Sequence, residues 1–451
     1  MEPANLSPDT LIVRSRRFFV TTVGPADRIK LFDFTSPSMR AFHMAWMAFF
    51  LCFFSWFGLF PLMPIIREEL HLTKEQIGWC MIGAGAITII ARLIIGSICD
   101  KYGPRKAYAT LLVVSSVPVM AIGFAHDFTS FLILRMLIGV IGAAFVITQY
   151  HTSVMFSPKC VGTANATTAG WGNFGGGATQ IMMPLLLAGL MSLGFSQAVG
   201  WRLCMVIAGV LCWVMAFAYY KLTQDRPDGY VAVTKGPKVS FATVCRDPRV
   251  WGLALAYAAC FGTELTMKSI AVLYYVDYFD VFKSMDTLTA TKYAGLLAAL
   301  FGATNIFART LGGLFSDRFG AEGNLSGRVR WLCVTLLGCG LALMVFSRMR
   351  SLYAAVPAML LLSTLTQMSC GATFGVVPFM NRKGLGAVSG IVGAGGNLGY
   401  MAAGFLFKAE NLSWPTAILI LGSIVTASAF ACYGLISWTP EEAPETQPAV
   451  A

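Results

Sequence analysis

The sequence predicts an all-α polytopic membrane protein, with twelve transmembrane helices in two pseudo-symmetric six-helix halves. Three observations carry this. The 451 residues are 56% hydrophobic and only 12% charged, about half the charge of a soluble domain. Apolar residues come in runs of about 20, long enough to cross a bilayer. Two charged phrases recur at one offset. The first runs Arg92-Leu-Ile-Ile-Gly96-Ser-Ile-Cys-Asp100-Lys101-Tyr102-Gly103, and the second Arg309-Thr-Leu-Gly-Gly313-Leu-Phe-Ser-Asp317-Arg318-Phe319-Gly320, 217 residues later.

Residues 1–40 are polar and basic, without the apolar core and cleavage site of a signal peptide, and are expected to be a mostly disordered cytosolic tail. Spans 1 to 6 are expected near 41–63, 77–99, 107–125, 128–151, 161–190 and 201–221, forming the N-terminal half, 41–221. A polar connection, 222–249, holds Pro227, Gly229 and Pro237 and reads as a cytosolic linker. Spans 7 to 12 are expected near 250–275, 292–315, 329–347, 352–378, 384–408 and 413–437, forming the C-terminal half, 250–437. Residues 438–451 make a short cytosolic tail.

With both termini inside, 21 Lys/Arg fall on the cytosolic side and 8 on the other, with Arg92, Arg135, Lys268 and Arg309 within spans. That bias is the one expected of a cytosolic face, so the net charge of +11 is mostly topological. Because the basic residues do not gather on one soluble domain, nucleic acid is not an expected partner. Membrane lipid is. The twelve cysteines form no C-x-x-C pair and read as small core residues. No phosphate loop, metal cluster or nucleophile motif occurs, so neither an enzyme, a cofactor nor a metal is expected.

An ionised side chain at bilayer depth is costly and marks a functional site by default. Each arginine stands eight residues before the Asp that ends its span, so roughly 12 Å deeper at 1.5 Å per residue. Half a hydrocarbon core is about 15 Å, which puts both guanidiniums near the midplane. A second phrase also recurs, Gly172-Asn173-Phe-Gly175 in span 5 and Gly396-Asn397-Leu-Gly399 in span 11, its asparagines 224 residues apart. Two markers at nearly one offset indicate an internal duplication, and duplicated carriers bind substrate between the repeats.

The fork of a guanidinium matches the coplanar oxygens of a carboxylate, nitrate or nitrite. Glu264 is the one acidic residue well inside a span, and Lys268 competes for it. The arginines therefore outnumber their internal counter-ions, and an exogenous anion is the expected one. Tyr257, Phe261, Glu264 and Lys268 fall on one stripe of span 7. Glu264 and Lys268 fit either a helical ion pair or a proton-coupling site. The aromatics fit either core packing or a wall for a flat anion, as do Phe145 of span 4 and Phe53 of span 1. Asn173 and Asn397 fit either interhelical hydrogen bonds or anion ligation. Gly170, Gly172, Gly175, Gly395, Gly396 and Gly399 are expected to let helices approach closely at a moving interface. Arg135, near the start of span 4, is expected to reach a membrane face in a structural role.

Gly96-x-x-x-Asp100-Lys-Tyr-Gly-Pro-Arg105-Lys106 resembles the signature loop of the major facilitator superfamily, and Asp317-Arg318-Phe-Gly320 resembles its echo. The stretches 169–180 and 393–399 are similar to the two signatures of the nitrate/nitrite porter family, and Phe145-Val-x-x-Gln149-Tyr150 and Phe261-Gly-Thr-Glu264 to its eukaryotic high-affinity branch. The resemblance implies a secondary transporter of nitrate and nitrite at the plasma membrane, with protons as coupling ion. It implies that Arg92 and Arg309 hold the anion, with Asn173, Tyr257, Phe261, Phe145 and Phe53 around it. It leaves a nitrate/nitrite exchanger, a carrier of another small or organic anion, or a nitrate sensor as alternatives. An accessory subunit is compatible with the resemblance but not indicated, because the linker and C-terminal tail are short beside many plant and fungal members. The Asp100/Arg105 and Asp317/Arg318 loops are expected to latch the state open to the outside.

Overall fold

A computed structural model describes residues 24–157, 160–227, 241–320, 325–380 and 385–436. Twelve helices among them are long and apolar enough to span a bilayer. Span 1 is Pro37–Leu70, span 2 Lys74–Gly96, span 3 Pro104–Phe124, span 4 Phe128–Met155, span 5 Thr163–Ser192 and span 6 Gln197–Leu222. Span 7 is Pro248–Tyr278, span 8 Thr287–Ser316, span 9 Leu325–Phe346, span 10 Leu352–Val376, span 11 Gly390–Lys408 and span 12 Trp414–Leu435. Each expected run corresponds to one span, with 3-10 turns interrupting spans 1, 4 and 8. Most extend past the apolar run because polar caps hold the first turn beyond it.

Those caps are local. Thr73 and Gln76 form a reciprocal capping box that starts span 2. Asp127 does the same with Ser130 for span 4, and the bonds it accepts from the Ser130 backbone and hydroxyl hold its carboxyl below the usual range. Asp247, Asp286, Ser351 and Ser413 accept the first free amides of spans 7, 8, 10 and 12. The helix of span 2 continues to Tyr102 and ends on Gly103 at φ +82°, where a β-carbon would also strike the Asp225 carboxylate.

The tail is not featureless up to residue 40. Ala26 exchanges backbone hydrogen bonds with Met155 and Ser157 at 3.0 Å each, which pins residues near it to the end of span 4. Open carbonyls at the C-terminal end of a helix accept from a backbone segment that reaches them, and composition gives no sign of such a partner. In the linker, span 6 ends at Leu222, and a short helix, Phe241–Cys245, precedes span 7.

The duplication is visible in the packing. Span 5 lies on span 1 within the first half, and span 11 on span 7 within the second. Across the seam span 2 meets span 11, and span 5 meets span 8. These two crossings are equivalent under the exchange of halves. The seam is bolted at the end remote from the termini. Arg67 holds Asp277 through two parallel bonds of 2.6 and 2.8 Å. Thr287 donates to Glu68 at 2.9 Å, Lys408 stands 3.6 Å from Glu75, and Lys74 donates to the carbonyls of Ala409 and Leu412. Spans 1 and 2 belong to one half, spans 7, 8 and 11 to the other. The structure is therefore closed on that face.

Candidate functional site

Spans 2, 4, 5, 7, 8, 10 and 11 bring polar groups to one buried region on the seam. Arg92 donates through Nε to the Gly142 carbonyl (3.2 Å) and through Nη1 to the Gly393 carbonyl (3.1 Å). Its Nη2 is buried without an acceptor. Gly142 can accept because span 4 tightens into a 3-10 turn at Gly139–Ala143, which disturbs the regular helical bonding of its carbonyls.

Arg309 answers from span 8. It follows another 3-10 break, Thr304–Ile306. Its Nη2 donates to Glu264 Oε2 at 2.5 Å, and its Nε has no acceptor. Both guanidinium carbons lie 5.9 Å from the centroid of the Phe261 ring, and that of Arg92 lies 5.2 Å from Phe145. Tyr257 stacks on Phe261 at 4.8 Å with the rings nearly parallel. Phe374 of span 10 closes the box edge-on, 5.0 Å from Tyr257 and 6.1 Å from Phe145.

The expectation that Lys268 would draw Glu264 away from the arginines is corrected. Glu264, fully buried, holds Lys268 Nζ at 2.6 Å through Oε1 and Arg309 through Oε2. The two oxygens of one carboxylate can serve two cations, and the helical spacing of 264 and 268 does not disclose the second. The count of charges changes accordingly. Arg92, Arg309 and Lys268 face one buried carboxylate among the described residues, which leaves two positive charges, and Arg92 is the one without a carboxylate.

Asn173 of span 5 is fully buried, and neither its amide nitrogen nor its amide oxygen has a partner. Its backbone carbonyl accepts from Lys268 Nζ at 3.2 Å, so the lysine ties span 7 to span 5 across the seam. Asn397 donates to the Gly393 carbonyl (3.2 Å), the acceptor that Arg92 also uses, and its oxygen is left open. Phe53 stands 5.9 Å from Lys268 Nζ and stacks on Phe57 at 5.6 Å, on the lysine side of the region rather than against a guanidinium.

Asn305 was missed. It donates to Glu264 Oε1 at 3.1 Å, and its own oxygen is unpartnered. A polar residue four before Arg309 in an apolar run was a readable signal. Phe374 was missed as well, and nothing in its neighbourhood distinguishes it from other core aromatics. Gln180 donates to the Lys268 carbonyl at 3.0 Å, a contact between residues 88 apart that no local pattern marks.

The glycines serve close approach, but mostly inside the halves. A β-carbon on Gly172 or Gly175 would run into Phe49 or the Phe50 carbonyl of span 1. On Gly395 and Gly399 it would meet the carbonyls of Ala254 and Ala258 in span 7, and on Gly396 the rings of Tyr257 and Phe261. A β-carbon on Gly170 would lie 3.1 Å from the Asn305 carbonyl across the seam, and Gly177 of span 5 meets Gly302 of span 8 there. Arg105 is bound within its own half, its Nε on the Tyr220 carbonyl at 2.7 Å. Arg318 is exposed. The side chains of Asp100 and Asp317 lie outside the described residues. Arg135 does not reach a membrane face. It is 1% exposed, with its guanidinium 4.6 Å from the Phe60 ring.

The sequence profile of the Major Facilitator Superfamily matches residues 45–381. The chain is 38% identical over 428 residues to the high affinity nitrate transporter 2.5 of Arabidopsis thaliana, covering 92% of this chain and 83% of that one. It is 28% identical over 484 residues to the nitrate/nitrite transporter NrtP of Nostoc punctiforme, covering 89% and 93%. In fold it is similar to a bacterial homologue of the human lysosomal transporter Spinster, with a TM-score of 0.69, 18% identity and coverage of 90% and 99%. The arginine phrases, the paired asparagine motifs and these likenesses agree: the chain belongs to the Major Facilitator Superfamily and, within it, to the nitrate/nitrite porter family.

Proposed function

We propose that the protein carries nitrate, and nitrite as a second substrate, across the plasma membrane by alternating access, and that uptake is coupled to protons. The observation that carries this is the open valence at the seam. Arg92 has a free Nη2 and Arg309 a free Nε, both buried beside the Phe261 ring, and Asn173, buried and tied through its carbonyl to Lys268, has an amide with both ends unpartnered. Buried polar groups are nearly always satisfied. A small flat oxyanion supplies acceptors to the guanidiniums and the amide N–H at once, and its faces suit the rings of Phe261 and Phe145. Asn305 and Asn397 orient their neighbours. Carriage asks only binding and release of these groups, with no covalent bond made or broken.

Moving one negative charge into a cell costs about 2.3 kcal/mol per 100 mV, so uptake needs a second flux. Glu264 offers the coupling. Its carboxylate occupies Arg309 at 2.5 Å, and an arriving anion competes for the same guanidinium. A proton on Glu264 weakens that hold and frees Arg309, so proton and nitrate favour one another's binding. Lys268 shares Glu264 with Arg309 and is tied to Asn173 of the opposite half. With the termini cytosolic, the closed face is the outer one, and the Arg67–Asp277 pair belongs to the state that releases inward.

Labelled nitrate uptake into proteoliposomes tests this, with either an inward proton gradient or trapped nitrite, for wild type, Arg92→Lys and Arg309→Lys. Proton-driven uptake that both variants lose supports symport through this site. Uptake that needs only trapped nitrite replaces symport by exchange, and uptake under neither condition by folded protein overturns the nitrate-carrier reading.

A further inference from the structure

Arg135 is a buried cation that the central site does not use. Its exposure is 1%, and neither Nη1 nor Nη2 has a hydrogen-bond acceptor. A permanent charge in an apolar span is normally paired with a carboxylate or with backbone carbonyls. Arg135 has the face of Phe60 at 4.6 Å, which stabilises a cation but accepts none of its N–H bonds in line.

Its position is specific. Arg135, Gly139 and Gly142 follow at i, i+4 and i+7 along span 4 and share one face. That face lies against span 2, where Thr88 donates to the Gly139 carbonyl at 2.7 Å and Arg92 to the Gly142 carbonyl at 3.2 Å. Arg135 therefore stands two turns, roughly 10 Å, from the level of Arg92 along the helix axis, toward the closed face. The same stretch of span 2 borders the seam, since a β-carbon on Gly85 would lie 3.2 Å from the ring of Tyr400 on span 11. Parting of the seam at that face would uncover Arg135.

The second half has no matching charge. At the offsets of 217 and 224 that relate the arginine and asparagine pairs, its counterpart falls within 352–359, Leu-Tyr-Ala-Ala-Val-Pro-Ala-Met, which holds no charge. One half carries a buried cation where the other carries apolar residues.

We propose that Arg135 is a second anion site, an entry station about 10 Å outward of Arg92, which takes a small planar oxyanion from the outer side when that face opens and passes it along span 4 to the central pair. The inference rests on the nitrate reading above. The Arg135 fork has two free terminal nitrogens for two coplanar oxygens.

The test compares nitrate presented to the two faces of oriented proteoliposomes. Arg135→Gln is expected to raise the apparent KM at the outer face by about tenfold or more, the effect of one lost charge-assisted hydrogen bond, and to leave the KM at the cytosolic face unchanged. Arg135→Lys keeps the charge and loses the fork, and should recover part of the loss; if Arg135→Gln misfolds, the lysine variant carries the same face comparison. Wild-type transport with an unmoved outer KM, or an equal loss at both faces with a lowered melting temperature, overturns the entry station and leaves the carrier reading intact. A folded wild type that moves no nitrate overturns both.

Discussion

Replacing Glu264 by Gln separates the fold from the transport cycle. The carboxylate binds Lys268 at 2.6 Å and Arg309 at 2.5 Å, and accepts from Asn305 at 3.1 Å, with no exposure of its own. The amide keeps the size and one acceptor oxygen but removes the charge, leaving two buried cations uncompensated. Breaking a buried pair by neutralising one partner costs about 3–5 kcal/mol, and the retained oxygen puts Glu264→Gln toward the lower figure. The same change frees Arg309 for an exogenous anion. Nitrate should therefore restore more stability to the variant than to wild type. Saturation at about 100 times Kd adds about 2.7 kcal/mol by mass action, close to the deficit. Thermal unfolding of purified protein with and without nitrate measures both quantities, and uptake across a pH series measures coupling. The expected result is a lower melting temperature without nitrate, a larger upward shift with it, and uptake no longer driven by protons. A variant as stable as wild type without nitrate, or one that keeps proton-driven uptake, would refute the competition between Glu264 and the anion.

The two arginines should differ in a way their matched phrases conceal. Arg92→Ala removes a cation without a carboxylate, so stability without nitrate holds or rises while the nitrate-induced shift disappears. Arg309→Ala leaves Glu264 with Lys268 alone and is expected to lower stability by about 1–3 kcal/mol besides losing the shift; equal melting temperatures would contradict this. Arg67→Ala removes a pair whose side chains are about one-third exposed, worth at most about 1 kcal/mol, so the population open at the outer face should rise by about fivefold or less, as read by spin-label distances across the seam. Gly399→Ala drives a methyl group into the Ala258 carbonyl and should cost about 1–3 kcal/mol. Gly96→Ala, whose nearest neighbour would be Val146 at 4.0 Å, should leave the melting temperature unchanged.

Much of the molecule is legible from residue order. Spans follow from hydropathy, which sums over neighbours and needs no partner. The duplication follows from two phrases at nearly one spacing. Caps such as Thr73 with Gln76 lie within three residues of one another, so they too are local. Asn305 sat in plain view as a polar residue in an apolar run.

What tertiary structure decided concerns which helix meets which. Glu264 meets Arg309 across 45 residues, Arg92 meets the Gly393 carbonyl across 301, and Lys268 meets the Asn173 carbonyl across 95. Helical spacing identifies the face a side chain occupies but not what stands opposite. A basic residue two turns from a helix end can reach a headgroup or turn inward, and Arg135 turns inward because Phe60 and its neighbours surround it. The glycines announce close approach, yet only the assembled bundle shows that Gly172 and Gly175 serve span 1 and that Gly395, Gly396 and Gly399 serve span 7. Hydropathy and helical rise are properties of neighbours along the chain, whereas the partner of a buried charge is selected by the desolvation it escapes when helices pack, and that depends on every helix at once.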